Sequence, residues 1–175
     1  MKYKILVLVL FVGFSSIVTS QETSLYEHKT YINKKDTLQY RILYPKNFSK
    51  EKQYPVVLFL HGAGERGNNN TAQLVHGSTL FISAENRINF PAIVIFPQCP
   101  KNSFWANAKF DRTSKPKKIE FPLDIAPTTS LKLVIELMEN IVLKPFINKQ
   151  KVYVGGLSMG GMGTFEIVYR KPNLF

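Results

Sequence analysis

The chain has 175 residues, 45% of them hydrophobic and 20% charged, with a formal net charge of +11. That balance gives enough apolar material for one domain core and excludes a disordered or low-complexity chain. The lone cysteine, Cys99, excludes an intrachain disulfide framework, and no Cys or His cluster has metal-ligand spacing, so neither a metal nor a cofactor is expected.

Residues 1–20 read as a signal peptide: Lys2 and Lys4 form a basic start, residues 5–14 are apolar, and Val18, Thr19 and Ser20 suit cleavage before Gln21. Ten apolar residues fall short of the roughly twenty that span a bilayer, and no cysteine follows them for lipid attachment. The expected product is an exported protein, periplasmic or secreted, without a stable membrane anchor.

Next, "HKTYINKKDTLQYRILYP" alternates around Lys34 and Lys35 and predicts an antiparallel hairpin at a sheet edge. Residues 55–60, "PVVLFL", form the continuous apolar run of a parallel strand covered on both faces, and they open into "HGAGERG" at 61–67. A weak helix follows near 71–83, then a second buried strand at 92–96. The proline-punctuated stretch 97–127 predicts a loop over one face of the domain. Within it Phe104 and Trp105 are candidate walls of an acyl or aromatic pocket, with core packing as the alternative. Cys99 reads as a packed, inert thiol.

The run "KPKK" at 115–118 is the one cluster in an otherwise scattered set of lysines, and no aromatics interleave with it to stack bases. It predicts a solvated loop; contact with an acidic polymer is the alternative, and nucleic acid is not an expected partner. A clear amphipathic helix comes next. Leu131, Val134, Ile135, Met138, Ile141 and Val142 share one face, Lys132, Glu136, Glu139 and Asn140 form a narrow polar stripe, and Pro145 stops the helix.

The last segment, "VYVGGLSMGGMG", is a short apolar strand at 151–155 running through Ser158 into a helix from Met159. A bare G-x-S-x-G arises by chance, but strand, sharp turn and helix are the context that its chemistry requires. Gly156 and Gly160 are expected at the turn because a Cβ there would collide with neighbouring backbone. Gly161 and Gly163 are expected to let the helix lie close on the sheet. The bland alternative is a glycine-rich turn whose serine merely caps the helix.

Taken together, "PVVLFLHGAGERG", "QLVHGS", "FPAIVIFPQCP" with Trp105 after it, and "VYVGGLSMGGMGTFE" resemble an α/β-hydrolase of the secreted esterase and predicted-peptidase group, related to polyhydroxybutyrate depolymerase-like and feruloyl-esterase-like proteins. The resemblance covers nearly all of residues 21–175. It implies a mostly parallel sheet with helices on both faces. It also implies a carboxylic-ester hydrolase in which Ser158 is the nucleophile and the N–H groups of Met159 and Ala63, with Gly64 as second choice, form an oxyanion hole. The substrate class is a small-molecule or carbohydrate-linked ester. A serine peptidase of prolyl-oligopeptidase type and a non-catalytic exported binding protein remain as alternatives.

In one respect the sequence departs from that pattern. The family's triad continues from serine to an acid and then a histidine, yet residues 159–175 contain one acid, Glu166, and no histidine. Glu166, two turns along the nucleophile's helix, reads as a solvated helix residue. His61 is expected to fix its own loop, His28 precedes the first strand, and His76 is the only histidine arguable as an unconventional base. The domain is therefore expected to be the N-terminal part of its fold, ending after the nucleophile helix. About 80 to 120 further residues are expected to supply the acid and the histidine.

Overall fold

In a computed structural model of the protein, residues 23–111, 113–116 and 118–175 are described. The segment 1–20 that reads as a signal peptide lies outside the described residues.

The hairpin predicted around Lys34 and Lys35 forms from β1 (Glu27–Asn33) and β2 (Asp36–Leu43), paired so that Asn33 faces Asp36. A two-residue turn leaves no room for relaxed geometry, and Lys34 takes a φ of 54° to close it. The buried strands are β3 (Tyr54–Leu60) and β4 (Ile93–Pro97), and the final strand is β7 (Ile147–Gly156). They assemble in the order β1-β2-β4-β3-β7. β2 runs antiparallel to β4, whereas β4 and β7 flank β3 in parallel.

The strand contents explain the placement. β4 is buried along its whole length, which suits the interior of the sheet, while in β3 Val56, Leu58 and Leu60 point into the core and Val57 and Phe59 are half-buried on the other face. The first face packs on α3 (Thr129–Val142) through Leu131, Val134 and Met138, and on Ile167. The second packs on Tyr26, Leu74 and Ile82. Thr128 caps α3, its hydroxyl accepting the N–H of Leu131 at 3.1 Å. The predicted face of α3 is buried or half-buried, and Leu133 and Leu137 are buried with it.

Two expectations need correction here. The helix expected near 71–83 is broken into a 3₁₀ turn at Ala72–Leu74 and one short helix, α1 (Ser78–Ile82), and a second short helix, α2 (Ala84–Asn89), follows beyond the expected span. Gly77 causes the first break: it takes a φ of 84°, and a Cβ there would lie 2.9 Å from the Phe59 ring. Within the stretch expected to be loop, β5 (Lys109–Asp111) and β6 (Lys118–Glu120) pair antiparallel as a separate exposed hairpin. Among the described residues no helix is long and apolar enough to cross a membrane.

Candidate active site

Because β3 lies between β4 and β7, the loops leaving the carboxyl ends of these three strands meet above the sheet, where open α/β sheets bind ligands. The ladder between β3 and β7 ends with Leu60 opposite Gly156, and Leu157 extends it by donating its N–H to the Leu60 carbonyl at 3.0 Å. Ser158 then turns the chain with φ 53° and ψ −112° into α4 (Met159–Arg170). Its side chain makes no helix-capping hydrogen bond, which removes the reading of Ser158 as a mere cap, and the residue is exposed.

The glycines around it behave differently from one another. A Cβ on Gly160 would overlap the Leu60 carbonyl and come within 2.8 Å of the His61 carbonyl oxygen; on Gly156 it would collide with Gly160 and approach the Leu60 oxygen to 2.9 Å. Both turn positions are closed to larger residues, as expected. Gly163 seats α4 on Trp105 and Leu60. Gly161 does not have the role expected of it: a Cβ there would meet only the Gly156 oxygen at 3.6 Å, an ordinary contact.

The histidine-glycine loop lies beside this turn. The position of a Cβ on Gly62 is 3.8 Å from the Cβ of Ser158, so the backbone entering Ala63 borders the serine. Ala63 and Gly64 follow in a short 3₁₀ turn, Ala63–Glu65, and both are exposed. His61 fixes the loop, as its sequence context predicts. Its Nε2 must be an acceptor because its partner is the backbone N–H of Cys99, 3.0 Å away; Nδ1 therefore carries the proton and donates to the Gly62 carbonyl at 2.6 Å. Burial depresses the His61 pKa and keeps the ring neutral.

Trp105 is not a pocket wall. It is fully buried, donates its indole N–H to the His61 carbonyl at 3.1 Å, and meets the His61 ring edge-on with centroids 5.2 Å apart. A buried indole must place its N–H on an acceptor, and here the acceptor lies under the loop rather than in a cleft. Phe104, its neighbour, is exposed beneath the Arg66 guanidinium, 4.5 Å from the ring centroid. Arg66 also donates to the carbonyls of Ala63, Lys101 and Ser103, bracing the loop from outside. Gln98 braces it from the far side, accepting the Asn70 N–H at 2.7 Å and donating to the Glu65 carbonyl at 3.2 Å. Nothing in their sequence spacing marks Arg66 or Gln98 for this.

A cavity of about 580 Å³ opens at Ser158, lined by Phe121, Leu123, Gly161, Met162, Phe165 and Glu166. Glu166 also departs from its expected place: it is 2% exposed rather than solvated. Its carboxylate accepts the Asn107 N–H at 2.8 Å and pairs with Arg170, whose Nε and Nη2 each lie 2.8 Å away. His76 is largely exposed and faces Glu65 at 3.7 Å, and His28 sits on the edge strand β1. Among the described residues no group of three His, Cys, Asp or Glu side chains is arranged to hold a metal ion.

This sheet, with its strand-turn-helix serine and its adjoining histidine-glycine loop, is an α/β-hydrolase fold. The chain belongs to the family described as Putative esterase, whose model matches residues 32–175. It is 31% identical to a thermostable esterase of known structure, with a TM-score of 0.74 over 89% of this chain and 40% of that one. A ferulic acid esterase is 20% identical with a TM-score of 0.60, over 86% of this chain and 56% of that one, and shares the fold. Lysophospholipase-like protein 1 of Mus musculus is 25% identical over 115 residues, which are 65% of this chain and 47% of that protein. The chain thus spans about half, or less, of the length of these relatives.

Proposed function

We propose that Ser158 is the acyl nucleophile of an exported hydrolase of carboxylic esters. One observation carries the reading: an exposed serine hydroxyl, free of any capping role, is held at φ 53° between Gly156 and Gly160, with the loop at Gly62 alongside it. In the proposed step the Ser158 Oγ attacks the ester carbonyl while its proton passes to a base. The negative charge on the tetrahedral oxygen is held by the N–H of Met159, first residue of α4, and by that of Ala63, with Gly64 as the second choice. The alcohol leaves with the proton, and water then hydrolyses the acyl-enzyme.

The base and its acid are assigned to residues of the parent protein beyond 175. His61 has both ring nitrogens engaged under the loop, and His76 faces Glu65 at 3.7 Å. The greater length of the relatives supports the same assignment. Residues 1–20 act as the export signal. The apolar cavity at Ser158 favours a small-molecule ester, including an aromatic acyl group joined to carbohydrate, over a nucleic acid or a membrane surface as the partner.

The test uses the complete protein. Wild type is expected to hydrolyse 4-nitrophenyl acetate and to take up a fluorophosphonate on Ser158, located by mass spectrometry of the peptide. Ser158→Ala should lower turnover by about three orders of magnitude or more. Undiminished turnover in that variant, or a label on another residue, overturns the assignment.

A further inference from the structure

Between Asn107 and Ala126 the chain leaves the body of the domain, forms the exposed β5–β6 hairpin, and returns. On its way back it presents Phe121 and Leu123 to the cavity at Ser158. Both ends of this excursion are fastened at one place on α4. At the outgoing end, the Asn107 N–H donates to Glu166 Oε2 at 2.8 Å and the Asn107 side-chain amide approaches Oε1 at 3.4 Å. At the returning end, Arg170 Nη2 donates to the Ile125 carbonyl at 2.8 Å, while the Asn107 amide donates to the Ala126 carbonyl at 2.8 Å. Glu166 and Arg170 are themselves joined one turn apart, with side chains only 1% and 14% exposed. A helix surface position thus holds a carboxylate out of water, which is tolerated because both of its oxygens meet donors, Oε2 the Asn107 N–H and Oε1 the Arg170 guanidinium.

We propose that the Glu166–Arg170 pair is a positioning device for acyl selectivity. It locks the neck of the 107–126 loop to the same helix that begins at Ser158, and so sets the distance between the apolar wall at Phe121 and Leu123 and the nucleophile. The inference rests on the reading of Ser158 as an acyl nucleophile. A short acyl group reacts without reaching that wall. A long or aromatic one is held by it, because burying its apolar surface is the only interaction the wall offers. Releasing the neck therefore lowers affinity for the larger acyl group while leaving the reacting atoms in place.

The experiment uses the complete protein and two substrates, 4-nitrophenyl acetate and 4-nitrophenyl octanoate. Two variants are compared with wild type: Arg170→Met, which cuts the returning end, and Asn107→Ala, which removes the stitch between the two ends. The expected result is a drop of about tenfold in the octanoate-to-acetate ratio of kcat/KM for Arg170→Met, and a smaller drop for Asn107→Ala. The loss should lie in KM for octanoate, with kcat for acetate held within about threefold. Arg170→Lys, which keeps the charge but not the fork that spans Glu166 and Ile125, should fall between. Trypsin cleavage after Lys118 should also accelerate in folded Arg170→Met. An unchanged ratio, an equal loss on both esters, or failure of both variants to fold overturns the proposal, since each means that the pair does no more than hold the fold. If wild type shows no Ser158-dependent turnover of either ester, the catalytic reading fails and the selectivity with it. The trypsin rate still decides whether the pair latches the loop.

Discussion

The imidazole of His61 accepts the backbone N–H of Cys99 at 3.0 Å and thereby ties the loop leaving β3 to the end of β4. Protonating Nε2 would set two donors against each other, and burial already disfavours the charged ring. The folded pKa is lowered, so the unfolded state binds the proton first as pH falls, and stability is lost below the ordinary histidine value of 6.5. Urea unfolding should therefore show lower stability at about pH 5 than at about pH 7.5. His61→Phe should cost about 1 to 3 kcal/mol at the higher pH, by orphaning the Cys99 N–H, and should shrink the pH difference. A pH difference as large in His61→Phe as in wild type rules out His61 as its source.

The motif glycines make separable predictions. Gly160→Ala forces a Cβ into the Leu60 carbonyl, a backbone group on a central strand that cannot swing aside. A loss above about 3 kcal/mol, or failure to fold, is expected. Gly161→Ala meets nothing closer than 3.6 Å and replaces a flexible residue inside α4, so a gain of up to about 1 kcal/mol is expected. Chemical denaturation of the two variants distinguishes them, and similar losses in both contradict the packing described above.

These two glycines also show what a sequence can and cannot reveal. Gly160 is legible because a turn between strand and helix crowds backbone against backbone, and only glycine answers that crowding. Gly161 and Gly163 look alike in sequence, yet only Gly163 faces Trp105. The strands are legible from their apolar runs, while the break at Gly77 depends on the Phe59 ring of a distant strand. Glu166 is the instructive failure. A carboxylate on an amphipathic helix reads as solvated, and its burial depends on Asn107, 59 residues away in the chain. The one local signal is Arg170, a turn further along. Trp105 likewise reads as a candidate pocket wall until the His61 carbonyl beneath it is located.

Cys99 is fully buried, and burial pushes its thiol up to about 11, with hydrogen bonds to Ser130 and Ser103 opposing only part of that rise. Thiolate, the reactive form, is then scarce at neutral pH and inaccessible as well. Ellman's reagent at about pH 8 should leave the native protein unmodified and titrate the cysteine promptly once urea unfolds it. Rapid labelling of the native protein is incompatible with this packing.

Ser158 carries a cost that can be measured apart from catalysis. Its φ of 53° and ψ of −112° lie where a residue with a Cβ is disfavoured, and such conformations cost about 1 to 3 kcal/mol. The turn is held from both sides: Leu157 donates to the Leu60 carbonyl at 3.0 Å, and Met162 donates to the Ser158 carbonyl at 3.2 Å. Ser158→Ala deletes the hydroxyl but keeps the Cβ and its strain. Ser158→Gly deletes both, offset by the about 0.5 to 1 kcal/mol that glycine loses through a more flexible unfolded chain. The glycine variant is therefore expected to be more stable than the alanine variant by about 1 kcal/mol, read from urea midpoints at equal m-values. Neither should hydrolyse 4-nitrophenyl acetate. Equal stability in the two variants means that the turn stores no strain at this residue, and activity in either one means that the nucleophile lies elsewhere.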